Sequence, residues 1–175
     1  MRVERPVDGS ALRLEATVLT MRRVTAGDRG AALAMHRRCS AQALRSRYLG
    51  DVSRRLDRLV DQLVPPTRGV TVGAFAPAGE CVALAHMLAL TDRDSVELAV
   101  LVEDDWQRYG VGLRLTQVTL AMPERDGRPV WLLAQADNAP AFALARRLGH
   151  RGTPRVDNAF AELEIADASL WLRTA

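Results

Sequence analysis

A single carboxylate stands in an otherwise apolar run. Glu97 interrupts Ser95-Val-Glu-Leu-Ala-Val-Leu-Val102, with no other charge between Asp94 and Glu103. Such a group is a candidate general base, one that takes a proton from a nucleophile as it attacks. The competing reading is a carboxylate turned to solvent or paired with an arginine. Shortly after the run comes Gln107-Arg108-Tyr109-Gly110-Val111-Gly112-Leu113, of the form Gln-x-x-Gly-x-Gly. Glycines there let the backbone approach a ligand, and the free N–H groups of a helix start face an anion. The ligand group that fits is a phosphate or pyrophosphate. Neither Gly-Lys-Ser/Thr nor Gly-x-Gly-x-x-Gly occurs, so the two common nucleotide loops are absent.

The elements that must position these residues follow from periodicity. Thr17–Val24 reads as a first strand, and Thr25-Ala-Gly-Asp28 as a turn and helix cap. Helical spacing follows at Ala31, Ala32, Leu33 and Met35, and Ser40 caps a second short helix reaching about Tyr48. Val52, Leu56, Leu59, Val60, Leu63 and Val64 form the apolar face of an amphipathic helix that Pro65-Pro66 ends. Val70–Phe75 and Cys81–Leu90 read as a hairpin, and Ser95–Val102 as the next strand. A helix over about 110–122 follows the glycine loop. Pro129–Ala134 reads as a strand buried on both faces, Asn138–Leu148 as a helix closed by Gly149, and Phe160–Ile165 as a last alternating strand. Residues 1–16 read as a loose polar lead-in and 17–175 as one domain. The sum is an α/β domain with a mixed, mostly antiparallel sheet flanked by helices.

Composition narrows the chemistry. The chain has 175 residues, 48% of them apolar and 26% charged, enough for one core without staples. All 24 basic residues are arginine, because the chain contains no lysine, and the net charge is only +3. Arginine is spread without a basic run, which argues against nucleic acid as the partner. No apolar run is long enough to span a bilayer, so a soluble, cytoplasmic protein is expected. Cys39 and Cys81 are far apart, and His36, His86 and His150 are scattered, so no metal site is expected.

The strand, the Gln-x-x-Gly-x-Gly loop and the following helix together resemble the acyl-CoA-binding motif of the GNAT N-acetyltransferases. Asn138-Ala-Pro-Ala-Phe-Ala-Leu-Ala-Arg-Arg-Leu-Gly-His150 resembles that family's Asn-led helix ending in Leu-Gly-Phe, with His150 in the place of Phe. Arg22-Arg-Val-Thr-Ala-Gly-Asp28 is similar to its opening strand and turn. The resemblance covers about residues 17–165. It implies acetyl-CoA as co-substrate and a central strand pair that splays, so that the backbone of Val100, Leu101 and Val102 meets the pantetheine arm. It further implies that Gln107, Arg108, Tyr109, Gly110, Val111, Gly112 and Leu113 cradle the pyrophosphate, and that Asn138 hydrogen-bonds the cofactor arm.

The acceptor implied is an amine, which must be neutral to attack. A lysine amine with pKa ~10.4 is about 3.4 units from neutral at pH 7, a cost of roughly 4.6 kcal/mol, so a positioned base matters. Glu-x-Ala-x-x-Val at 97–102 is similar to bacterial Pat-type protein-lysine acetyltransferases, in which the glutamate is the base. Ser40-Ala-Gln-Ala-Leu-Arg-Ser-Arg-Tyr48 is also similar to their Ser-x-x-Ser-x-x-x-Arg-Phe helix. Many relatives place a tyrosine where this chain has Ala145, so no general acid is evident. Three readings stay open: acetylation of a protein lysine, acetylation of a small amine, and a non-catalytic acyl-CoA sensor. Acceptor choice would lie in residues 36–64 and 150–160, and a homodimer is compatible with each.

Overall fold

The structure is a computed structural model that describes residues 2–3, 6–7, 10–13 and 17–165. Seven strands form one sheet: β1 (Thr20–Arg23), β2 (Gly69–Phe75), β3 (Cys81–Ala89), β4 (Val96–Val102), β5 (Val130–Gln135), β6 (Arg155–Asp157) and β7 (Phe160–Ile165). Their spatial order is β6-β7-β5-β4-β3-β2-β1. Every neighbouring pair is antiparallel except β4 and β5, which run parallel. Five helices flank it: α1 (Arg29–Arg38), α2 (Ala41–Tyr48), α3 (Leu56–Leu63), α4 (Val111–Leu120) and α5 (Ala139–Arg147). The lead-in, read from sequence as loose, carries short antiparallel pairs, Arg2–Val3 with Thr17–Val18 and Pro6–Val7 with Ser10–Arg13.

The sheet divides two cores. Strand alternation sends Val96 and Leu98 to a core shared with Val111 and Leu115 of α4 and Ala145 of α5. It sends Leu101 to the opposite core, with Leu33 and Met35 of α1 and Leu56, Val60 and Leu63 of α3. Glu97 therefore lies on the α1–α3 side of the sheet. Both cysteines are free and buried there, and burial pushes each thiol up to about 12.

Strand β5 departs from the sequence reading. It was expected to be buried on both faces, yet only Val130, Leu132 and Ala134 are buried, while Leu133 is 40% exposed. Only the α4–α5 side of this strand is fully covered; α2 reaches its other side in part. The sequence reading also missed β6, whose three residues are all exposed.

The turn before α1 is fixed by charge. Arg22 makes two hydrogen bonds to Asp28 (2.9 and 2.7 Å) while stacking on Phe75, 4.0 Å above the ring. Asp28 also accepts from the Thr25 N–H and hydroxyl. These bonds, Arg22 foremost, hold the Asp28 carboxyl well below its usual range. Asp28→Asn should therefore cost about 1 kcal/mol at pH 7. Since the folded pKa is depressed, this contribution is present above the ordinary 3.8 and is lost as pH falls below it. Denaturant titrations of the two proteins should show a gap at pH 7 that shrinks from pH 4 downward.

Candidate functional site

The parallel ladder between β4 and β5 consists of two pairs, Val96↔Val130 and Glu97↔Trp131. Beyond Glu97 the strands part, although β4 stays paired with β3 through Ala83↔Val102. The phase of the bonding is set at both ends: Val96 N–H bonds Pro129 O toward β5, and Glu103 N–H bonds Val82 O toward β3. Even-numbered residues of β4 thus direct backbone groups toward the gap, and Val100 faces it with N–H and C=O unpaired by β5. Val102 C=O faces the same way and accepts from Gln107 Nε2 at 3.0 Å. Leu101 is different: it is 3% exposed, and its backbone lies on the β3 side.

Directly past the gap comes the glycine loop. Arg108 and Gly110 both take left-handed backbone angles (φ 64° and 81°), which bend the chain into α4. Arg114 N–H is bonded to Gly110 O at 3.0 Å, which leaves the amides of Val111, Gly112 and Leu113 ahead of it as the helix's free donors. A side chain on Gly112 would come within 3.4 Å of Val102, so the glycine lets α4 start close against β4. These residues could hold a pyrophosphate by backbone alone, at the mouth of the gap. The Val111 side chain is buried, and Tyr109 and Leu113 pack against the core. Asn138 begins α5, where its Oδ1 accepts from Ala141 N–H at 3.1 Å, so the side-chain oxygen serves first as a helix cap. A depression of about 260 Å³ lies beside it, lined by Ala136, Asp137, Ala139, Phe142 and Arg146. Ala145 is fully buried.

The base of the loop is anchored by an ion pair. Glu103 is 6% exposed and accepts from Arg38 Nη2 at 2.9 Å, and the same nitrogen bonds Cys81 O at 2.8 Å. Next to it Asp104 accepts from Ser40 N–H and hydroxyl, both at 2.7 Å, tying the start of α2 to the loop's approach.

On the other face of β4, Glu97 lies beside Trp131 in register, and α2 packs over both strands. Glu97 is half-buried and makes no hydrogen bond or ion pair with a described residue. Sequence reasoning missed the surrounding polar groups. His36 is fully buried, donating from Nδ1 to Ala32 O (2.7 Å) and accepting the Tyr48 hydroxyl at Nε2 (2.6 Å). His86 donates from Nδ1 to Thr71 Oγ1 (2.8 Å), whose own proton goes to Leu63 O (2.7 Å). Burial lowers both imidazoles, His86 far below its usual value, and raises Tyr48 to about 12. Trp131 lies under two guanidiniums, Arg93 at 4.7 Å and Arg155 at 5.5 Å. The Glu97↔Trp131 neighbour relation depends on strand order, which sequence periodicity does not report.

No family model matches the sequence, and no curated protein is similar to it. Solved structures are similar in fold. The GNAT domain of S. lividans PAT superposes with a TM-score of 0.73 at 18% identity, over 83% of this chain and 89% of that one. A PaiA N-acetyltransferase from Thermoplasma acidophilum in complex with coenzyme A gives 0.65 at 14%, over 84% and 98%. The ribosomal-protein-S18-alanine N-acetyltransferase from Escherichia coli gives 0.61 at 22%, over 84% and 91%. The chain has the fold of the GNAT acetyltransferases.

Arg38→Met would leave Glu103 buried without its counter-charge, at an expected cost of about 3 kcal/mol. Adding Glu103→Gln to that variant should recover part of the loss, since the uncompensated charge goes. Denaturant unfolding of the two variants against the parent checks both.

Proposed function

We propose that the chain is an acetyl-CoA-dependent N-acetyltransferase whose acceptor is a protein lysine, with Glu97 as general base. The observation that carries this is the parting of β4 and β5 beside Glu97, opening onto the free amides of α4. An extended arm carrying amides can pair with Val100 as a strand would, while its pyrophosphate meets the helix start. On this reading the thioester lies beside Glu97. The amine nitrogen forms a C–N bond to the thioester carbon as the C–S bond breaks. Glu97 takes the amine proton, and a thiolate leaves. A thiol of pKa ~8.5 leaves without a dedicated acid, consistent with Ala145 in its buried position.

The protein acceptor is supported by the surface around Glu97. Leu133 and Phe160 are 40% and 37% exposed, and strand alternation puts both on the same sheet face as Glu97. An apolar rim there suits a polypeptide. A small amine is the second reading, favoured by a depression of about 170 Å³ bordered by Trp131, His150, Arg155, Glu162 and Glu164.

Thiol release from acetyl-CoA, with lysine-bearing proteins and small amines as separate acceptor pools, tests the proposal. The enzyme has no lysine, so self-modification adds background only at its N-terminus. Turnover on proteins that falls about 100-fold or more in kcat for Glu97→Gln, with acetyl-CoA affinity kept, is expected. Turnover on small amines alone would replace the lysine assignment. No turnover on either, with acetyl-CoA still bound, would leave a sensor.

A further inference from the structure

Arg47, near the end of α2, is a guanidinium without an anion. Its Nε is buried and has no hydrogen-bond partner, and the residue makes no ion pair with any described residue. Its contact is with the face of the Tyr48 ring, 4.6 Å away. The Tyr48 hydroxyl is given to His36, so only the ring supports the charge. Among the described residues, Arg22, Arg38 and Arg93 are each matched to an acid: Arg22 to Asp28, Arg38 to Glu103 and Arg93 to Glu162. Arg47 is half-buried: Nε is covered without a partner, and the two Nη groups are not among the buried unpartnered atoms, so a charge set into the site lacks a carboxylate that folded proteins commonly supply.

Glu97 is the carboxylate whose charge acts on Arg47, and it too makes no hydrogen bond or ion pair with a described residue. The two share the space between α2 and the sheet without forming an ion pair. Across that space Arg93 and Arg155 stack on Trp131, the register neighbour of Glu97. Arg155 makes no ion pair with a described residue either. On the sheet side Arg93 is matched to Glu162, and Glu164 is the register partner of Trp131, so Arg47 on the helix side and Arg155 on the sheet side are the guanidiniums around Glu97 that have no acid partner among the described residues. An amine with a carboxylate beside it would present the amine to Glu97 and the anion to Arg47.

We propose that Arg47 binds a carboxylate carried by the acceptor, so that the substrate class is an amine with an acidic group next to it. This rests on the acyl-transfer reading above. The open apolar rim at Leu133 and Phe160 favours an aspartate or glutamate beside a lysine in a polypeptide as the source. The α-carboxylate of a free amino acid offers the same chemistry. The fork of Arg47 suits a carboxylate in two-point contact, which lysine cannot copy.

The test uses the full chain with single-lysine peptides that differ only in flanking Glu or Gln. Free amino acids and their decarboxylated amines form a second pair. Binding is read by calorimetry with acetyl-CoA or desulfo-CoA present, and kcat and KM by thiol release. The Glu-flanked peptide should be preferred about 10- to 100-fold in Kd and KM, the range of a charged hydrogen-bonded contact. In Arg47→Gln that ratio should collapse toward one, and Arg47→Lys should restore only part of it. A preference confined to the amino-acid pair would assign the anion to an α-carboxylate. Equal affinity of the parent for both members of both pairs would overturn the proposal. A fall in kcat on all acceptors with the preference intact would also overturn it, making Arg47 a positioning residue for Glu97. If Arg47→Gln fails to fold, the parent's preference and the Arg47→Lys ratio still decide. Because binding is read directly, acceptor recognition is tested even where no turnover occurs, which separates its failure from that of the acyl-transfer reading.

Discussion

The separation of β4 from β5 after Glu97↔Trp131 is the constraint on which the rest depends. A sheet loses backbone bonding where two strands part, and unpaired groups in an interior are costly. The protein limits that loss by keeping β4 bonded to β3 along its whole length and by giving Val102 C=O to Gln107. What remains open is a short stretch around Val100, beside the start of α4. The same parting ends beside Glu97, on the face that α2 covers and where Arg47 and Glu97 both lack an ion-pair partner among the described residues.

Much of this order was legible in the sequence, for local reasons. Ser40 does cap α2, accepting from Ala43 N–H at 3.1 Å, and Gly149 takes a left-handed angle of 99° after α5. The glycine loop lies between a strand and a helix as its context implied. What was not legible depends on neighbours remote in sequence. Pro129–Ala134 is a continuous apolar run, so it reads as doubly buried, but burial on the second face needs a helix that the fold does not set over Leu133. Asn138 reads as a contact to the cofactor arm, and its Oδ1 also accepts from Ala141 N–H, a local cap that the sequence reading did not name. Leu101 lies between two residues that face the gap, and only the bonding phase of β4 separates it from them. Arg47 and Tyr48 belong to a weakly patterned helix, and their importance arises from packing over Glu97.

The polar interior under α1 and α2 has a related character. His36, Tyr48, Thr71 and His86 form fixed donor–acceptor pairs, each proton assigned by a carbonyl that can only accept. Both imidazoles are held neutral, and they line the ground beneath Arg47 without supplying it an anion. An all-arginine set of cations suits this arrangement, since a guanidinium stacks on Tyr48, Trp131 and Phe75 as an ammonium does less well.

Strand edges invite association with other chains, and the outer strand next to β7 shows the usual defence. β6 is only three residues long, exposed, and bears Arg155 and Asp157. The opening between β4 and β5 is also an edge, but an internal one. Helices stand over both faces of β4, with α4 on one side and α2 on the other. A polypeptide strand entering there must seat its alternating side chains against both helices, a demand that an unbranched chain does not make. The molecule thus keeps its open backbone at Val100 between two helices and away from the outer rim of the sheet, where another chain could add as a strand.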